Sequence, residues 1–286
     1  MKESDIFIEV DCFQKNKADN IVCGDSYMSQ KLKEEDRIIS VLSDGLGSGI
    51  KASVLSAMTA TMAMNYTAMN ESILQTALSI IHTLPKDMVR KISYSTFCIF
   101  DIDCFGNTRI VEYESPAVYL FRRGQAVEIR KKKIPIERED LEKEARLICF
   151  SDGVSQSGMG SSNMPFGWDE GVGIYIAETL SQHPGISAKE LARKIVLRAE
   201  RNDNYRLLDD TSCCVIYRRT PRNLRLTMKK KTGIWQKKSG ISKVKKYSAE
   251  ERQPRLFQGN FNSPCRSVWI SPIKSSPHSP IWKEST

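Results

Sequence analysis

The sequence predicts an α+β fold, and three observations carry the prediction. Strand-like runs rich in β-branched and aromatic residues recur up to residue 218, two pairs of helix-like segments interrupt them, and no sustained apolar period follows. A chain of 286 residues with 40% hydrophobic and 27% charged content is sized for one domain and a short extra module. The domain is placed at 1–218 and a basic tail at 219–286.

Residues 6–13 are rich in β-branched and aromatic types and read as a strand, as do 20–30. The apolar run 37–43 meets Asp44-Gly45-Leu46-Gly47-Ser48-Gly49, whose three glycines end any strand. From 50 to 69 the Ala/Met/Leu content and three-to-four spacing predict a largely buried helix packed on a sheet rather than a free partner helix, and a second helix follows at 71–84. Strands return at 93–103 and across 108–129, with turns at 105–107 and 123–124, and again at 145–151. Residues 155–170 read as loop, 171–182 and 187–201 as helices, and 212–218 as the last strand.

Composition narrows the chemistry. Collagen-like, coiled-coil and disulfide-scaffold classes are excluded, and no apolar run approaches the roughly 20 residues of a membrane helix. The first residues, Met1-Lys2-Glu3-Ser4-Asp5, lack the order of a signal peptide, so a cytoplasmic protein is expected. Eight cysteines form no CxxC pair and several lie in apolar runs, which predicts reduced, buried thiols. The three histidines (His82, His183, His278) lie near helix ends or in the tail, so aspartates become the first candidates for chemistry. Charge is divided unevenly. The tail holds 16 Lys/Arg against 3 acids, a balance of +13, and the body is −4.

Three acidic sites share one design: Ser43-Asp44-Gly45, Ser151-Asp152-Gly153 and Asp209-Asp210-Thr211-Ser212. Each stands at the end of an apolar strand or just before one, where a scaffold can hold a carboxylate at a sheet rim. A glycine after the aspartate lets the backbone carbonyl turn towards the same point and leaves room for ions and water. Several carboxylates converging without histidine suit hard cations such as Mg²⁺ or Mn²⁺. A pair of such ions roughly 3.5–4 Å apart can share a hydroxide and aim it in line at phosphorus. One Asp-Gly alone is an ordinary turn; two Ser-Asp-Gly copies and an Asp-Asp-Thr-Ser in this order are specific.

With Gly24-Asp25-Ser26-Tyr27, Leu42-Ser43-Asp44-Gly45-Leu46-Gly47-Ser48-Gly49-Ile50-Lys51-Ala52, Phe150-Ser151-Asp152-Gly153 and Asp209-Asp210-Thr211-Ser212, the chain resembles the PPM superfamily of metal-dependent protein serine/threonine phosphatases over residues 6–218, in the branch typified by the stage II sporulation protein E (SpoIIE). The resemblance implies a four-layer α-β-β-α sandwich of two antiparallel sheets flanked by helices. It implies that Asp44 bridges two Mn²⁺ or Mg²⁺ ions, that the carbonyl of Gly45 is a ligand to one of them, that Asp152 and Asp209 are further carboxylates completing the shell of the second metal, and that Asp25 holds metal-bound water. Asp210 falls where relatives carry Asn or Asp, which implies a supporting place in the metal site. The arginine that grips phosphate in some PPM enzymes has no counterpart, since residues 6–24 offer only Lys15 and Lys17.

The implied activity is hydrolysis of phosphoserine or phosphothreonine on a small regulatory protein of a bacterial partner-switching circuit, without a membrane or nucleic-acid partner. Two other readings stand beside it: a pseudophosphatase that only binds protein, and a nucleic-acid-associated protein working through its tail. The tail itself departs in style from the body. Back-translated one base out of register, 248–254 can give Cys-Gly-Gly-Thr-Thr-Ala, and 229–246 can give a string with helical spacing. Both strings resemble the C-terminal extension of some SpoIIE-type proteins. A shifted reading frame from about 225–229 is therefore expected, with disorder from about 226 onward.

Overall fold

The computed structural model describes residues 7–83, 95–116, 118–127 and 136–220. The chain divides into two units, 1–221 with 264–286 and 222–263, and the second lies wholly outside the described residues. So do Cys265, His278 and all of the tail beyond Thr220, including the expected frame change and disorder.

Among the described residues ten strands form two five-stranded sheets. The first has the order β1 (Phe7–Lys15), β10 (Thr211–Arg219), β9 (Arg146–Phe150), β6 (Tyr119–Arg122), β7 (Gln125–Val127). The second has the order β2 (Asp25–Leu32), β3 (Arg37–Gly45), β4 (Ser95–Asp103), β5 (Asn107–Tyr113), β8 (Ile136–Asp140). Every pairing is antiparallel. Helices α1 (Ile50–Ala68) and α2 (Ile73–Thr83) cover the second sheet; α4 (Asp169–Gln182) and α5 (Ala188–Asn202) cover the first. The short α3 (Asp152–Ser155) starts at the end of β9. This is the expected four-layer sandwich.

The strand sequences explain the layers. Along β10, Cys213, Val215 and Tyr217 face the helices while Cys214 and Ile216 face the other sheet, and β9 divides Ile148 and Phe150 from Leu147 and Cys149 in the same way. Because successive side chains point to opposite faces, a strand buried on both must be apolar throughout, as these runs are. On the second sheet Ile39, Val41, Phe97 and Ile99 meet Ala60, Ala63, Met64, Ala77 and Ile80 of α1 and α2. The alanines let α1 lie close to the sheet.

Several expectations need correction. The second strand begins at Asp25; the span 20–24 is a loop whose Asn20 amide bonds to the Lys17 carbonyl at 3.1 Å. β3 runs on through Asp44 and Gly45, because both pair with β4, at Thr96 and Ser95. The long β-rich span after 108 is three strands, and β8 was not foreseen: Ile-Glu-Arg-Glu-Asp has one apolar residue in five, so an edge strand there leaves no periodic signal. α1 buries one face only, with Ile50, Val54 and Met58 exposed on the other. The cysteines behave as expected: seven described ones are free thiols, five of them buried. Among the described residues no helix is long and apolar enough to cross a membrane.

Candidate active site at the sandwich rim

The three acidic motifs, distant in sequence, come together at one end of the sandwich. Asp25 opens β2 directly opposite Asp44 on β3, so the second sheet supplies two carboxyls side by side. The first sheet supplies Asp152, two residues past β9, and Asp209-Asp210, just ahead of β10. Across the sheets, Ser212 Oγ donates to Asp25 Oδ2 at 2.5 Å, and a methyl at Gly24 would lie 2.8 Å from Asp210 Oδ2.

Hydrogen bonds to the backbone fix these positions. Ser95 Oγ donates to the Asp44 carbonyl at 2.9 Å, and Ser43 Oγ lies 2.7 Å from Ser95 Oγ, which anchors the end of β3 to β4. Ser151 Oγ accepts from the Ser212 amide at 2.9 Å and donates to the Asp210 carbonyl at 3.3 Å, so the ends of β9 and β10 are stitched where their aspartates emerge. The Lys17 amide donates to Asp210 Oδ1 at 2.9 Å, the Asp210 amide to Asp209 Oδ1 at 2.9 Å, and Gln156 Nε2 to Asp152 Oδ2 at 3.1 Å.

The glycines after the aspartates serve packing. A Cβ on Gly45 would stand 2.2 Å from the Ala52 carbonyl oxygen of α1, and one on Gly153 2.2 Å from the Asp210 carbonyl oxygen. Both obstacles are backbone, so any larger residue must push the Asp44 strand from α1 or the Asp152 turn from Asp210. The motif's Gly is a close-approach residue in both copies.

Electrostatics mark the cluster as unsatisfied by protein alone. Burial pushes the Asp25 carboxyl up to about 7, against the pull of its bonds from Ser212 and Ser151. Burial raises Asp44 well above the carboxylate range, and the charges of Asp25, Asp152 and Asp209 add to it. Asp152 and Asp209 are also raised, burial first. Asp25 Oδ1 and Asp210 Oδ2 are buried without a hydrogen-bond partner. An all-carboxylate set with mutual repulsion and orphaned oxygens fits a hard divalent cation, whose charge would remove both penalties. Among the described residues no group of three or more His, Cys, Asp or Glu side chains is arranged as a metal-binding cluster.

All six residues singled out in the sequence, Asp25, Asp44, Gly45, Asp152, Asp209 and Asp210, therefore meet at this rim. Of the two lysines considered for phosphate, Lys15 is spent on Glu200, with Nζ 2.6 Å from Oε1. Lys17 stays at the rim, where its charge pulls against the burial that raises Asp209. Sequence reasoning missed Asp203, a buried carboxylate that accepts from the Gly158 amide at 2.6 Å and the Leu208 amide at 3.1 Å. It ties the loop after α3 to the segment carrying Asp209, and an aspartate at a helix end carries no sequence signal for that work.

Comparisons with known proteins agree with the geometry. A model of the stage II sporulation protein E (SpoIIE) family matches residues 34–219. A search of curated proteins finds no significant match. Among solved structures, the PP2C phosphatase domain of SpoIIE from Bacillus subtilis, with a fragment of its regulatory domain, superposes with a TM-score of 0.64 at 17% identity, covering 77% of this chain and 66% of that one. The RsbU and RsbW domains of a Mycobacterium tuberculosis protein give 0.59 at 15% identity, covering 77% and 62%. RsbX in complex with magnesium gives 0.54 at 16%, covering 76% and 97%. The chain thus spans just under two thirds of the first two, and at these identities the likeness is one of fold. The family match extends over more than half of the chain, and its span holds five of the six rim residues: the chain belongs to the SpoIIE family of PPM (PP2C-type) phosphatases.

Proposed function

We propose that the chain hydrolyses phosphoserine or phosphothreonine on a regulatory protein with the help of two divalent cations, Mn²⁺ or Mg²⁺. The observation that carries the reading is the convergence of Asp25, Asp44, Asp152 and Asp209, all raised by burial, beside two orphaned carboxylate oxygens. When bound, the cations supply Lewis-acid charge for in-line attack of water on phosphorus. Asp44, central among the acids, would hold both; the Gly45 carbonyl, Asp152 and Asp209 would complete the donor set. Ser212 orients Asp25, leaving Oδ1 to hold water at the site. Asp210 is bonded by the Lys17 amide through Oδ1 and keeps Oδ2 towards Gly24, which suits support behind the ligands.

Catalysis on this arrangement comes from fixed charge and positioning, since among the described residues the cluster is made of carboxyls without a histidine base. The relatives named RsbU, RsbW and RsbX favour, as substrate class, a small phosphoprotein in a bacterial partner-switching circuit located in the cytoplasm. All residues of the proposed site lie in the body, 1–218. The test is Mn²⁺-dependent release of p-nitrophenol from p-nitrophenyl phosphate by the full chain, with Asp44→Asn as the control. Turnover that persists in a chelator, or in that variant with Mn²⁺ present, defeats the reading.

A further inference from the structure

Three loops frame the carboxylates, and hydrogen bonds join them to one another. The Ala18 amide donates to the Leu207 carbonyl at 3.0 Å and Arg206 Nη2 meets Asp19 Oδ2 at 2.7 Å, which staples 17–21 to 205–209. Asn16 Nδ2 holds the Ile21 carbonyl at 3.0 Å. On the other side, Asp203 bonds both Gly158 and Leu208, and Asn202 Nδ2 reaches Ser157 Oγ at 3.1 Å, which staples 157–167 to the same segment.

These polar-stapled loops nevertheless present apolar side chains to water. Of the thirteen large apolar residues exposed among the described ones, five lie here: Ile21 (92% exposed), Met159, Phe166 (86%), Tyr205 (72%) and Leu208. Leu208 directly precedes Asp209, and Ile21 stands four residues before Asp25. Tyr205 adds an independent sign. It sits at φ +63, just past the end of α5, where glycine or asparagine is the unstrained choice. A bulky aromatic in that conformation, largely exposed to solvent, contributes nothing to the core to offset its backbone strain. Strain of this kind collects where a contact is made with something else.

We infer that the apolar loops around the carboxylates form the docking surface for the phosphoprotein substrate, and that they select a phosphorylated residue flanked by apolar side chains. The inference rests on the proposed phosphatase reading and adds what that reading lacks. A cluster of carboxyls repels acidic segments and draws only the phosphoryl group through its cations, so affinity for the flanking chain must come from the rim. There, beside the exposed Arg206–Asp19 pair, stand aliphatic and aromatic side chains on loops that lead directly into the acidic residues and are tied together by hydrogen bonds before binding. Ile21 and Leu208 would pack the residue on one side of the phosphorylated one, and Tyr205 would supply a flat amphipathic contact, as aromatic anchors do at interfaces.

The experiment uses the full chain in Mn²⁺ and two fluorescent peptides that carry a phosphonate analogue of phosphothreonine, one flanked by Leu and Val, the other by Gly and Ser. Anisotropy reads their binding, and p-nitrophenyl phosphate turnover is followed in parallel. The expected result is about tenfold tighter binding of the apolar-flanked peptide. That preference should fall below about threefold in an Ile21→Ser/Leu208→Ser double variant and in Tyr205→Asn, both with p-nitrophenyl phosphate turnover unchanged. Tyr205→Asn relieves backbone strain and so guards against loss of folding. Equal binding of the two peptides, or a preference that survives both variants, overturns the inference. A preference that behaves as expected in a chain that hydrolyses no phosphomonoester upholds the docking surface and overturns the phosphatase reading instead.

Discussion

The sandwich contains two clusters of ionisable side chains, and they have opposite fates. At the rim are Asp25, Asp44, Asp152, Asp209 and Asp210. Between the sheets are Cys12, Cys98, Cys149 and Cys214, with Cys12 opposite Cys214 on neighbouring strands and Cys214 opposite Cys149 on the next. Burial pushes Cys12, Cys98 and Cys149 up, and contact with Cys149 followed by burial raises Cys214. The direction of the shift is shared with the acids. A thiol raised in this way is simply neutral at physiological pH and packs as a small hydrophobe, whereas a carboxyl raised by burial among other carboxyls is a group whose ionised form the protein alone does not compensate. Burial disarms the first cluster and primes the second for a cation.

The largest test of that contrast removes one ionisable group from each cluster. Asp44→Asn is expected to lower Mn²⁺-dependent turnover of p-nitrophenyl phosphate by about 10³-fold or more, with the far-ultraviolet circular dichroism unchanged. Asp152→Asn and Asp209→Asn should follow closely, and Asp210→Asn should cost about tenfold, as for groups that support ligands. A Cys149→Ala variant with losses on that scale would erase the distinction between the clusters.

Next in size is the pH dependence of metal stabilisation. In the metal-free fold the Asp25 carboxyl ionises near 7, against 3.8 as its ordinary value. An acid whose folded pKa is raised contributes stability in full below the unfolded value and loses it as pH rises through the folded value. In a chelator, this contribution should therefore fall between about pH 4 and about pH 7. A cation favours the ionised form and competes with the proton. The gain in melting temperature on adding Mn²⁺ should accordingly widen from about pH 5 to about pH 8, read by thermal melts in parallel with and without chelator. A gain that is flat or shrinks with pH would show that the rim acids do not take up the ion.

Smaller still is the effect of making the thiol cluster polar. Cys214→Ser buries a hydroxyl between the sheets, at a cost of about 1–3 kcal/mol and a few degrees of melting temperature. Turnover per folded molecule should stay within about twofold, since hydroxyl and thiol are both neutral there. The least effect belongs to reducing agent: with every described cysteine a free thiol, dithiothreitol at a concentration that leaves Mn²⁺ bound should not change the rate. Inactivation would reveal a disulfide.

How far the sequence foretold the molecule also differs between regions. The doubly buried strands were plain because both faces had to be apolar, and the rim was plain because Ser-Asp-Gly repeats at strand ends. β8 was invisible for the opposite reason, being a short, charged edge. The pairing of Asp25 with Asp44 depends on the β2–β3 register, which no local pattern around residue 25 records. The work of Asp203 is equally hidden, for it depends on two amides, 45 residues before it and five after. Local chemistry announced the reactive groups, and long-range pairing decided how they meet.

Asp44-Gly45 also bears on how the chain ages. Among aspartyl dipeptides the aspartyl-glycyl pair is the one most exposed to self-attack, because the glycine amide nitrogen can close on the neighbouring carboxyl, with loss of water, to form a succinimide that reopens mainly as isoaspartate. In the folded protein that nitrogen faces the Gly24 carbonyl at 3.3 Å, and the residue is held extended at the end of β3. Ring closure needs the nitrogen to turn inward and the backbone to leave the sheet. Isoaspartate at residue 44 in stored protein is thus a clock that runs only while this rim is open, and it stops at the residue whose loss would cost the most.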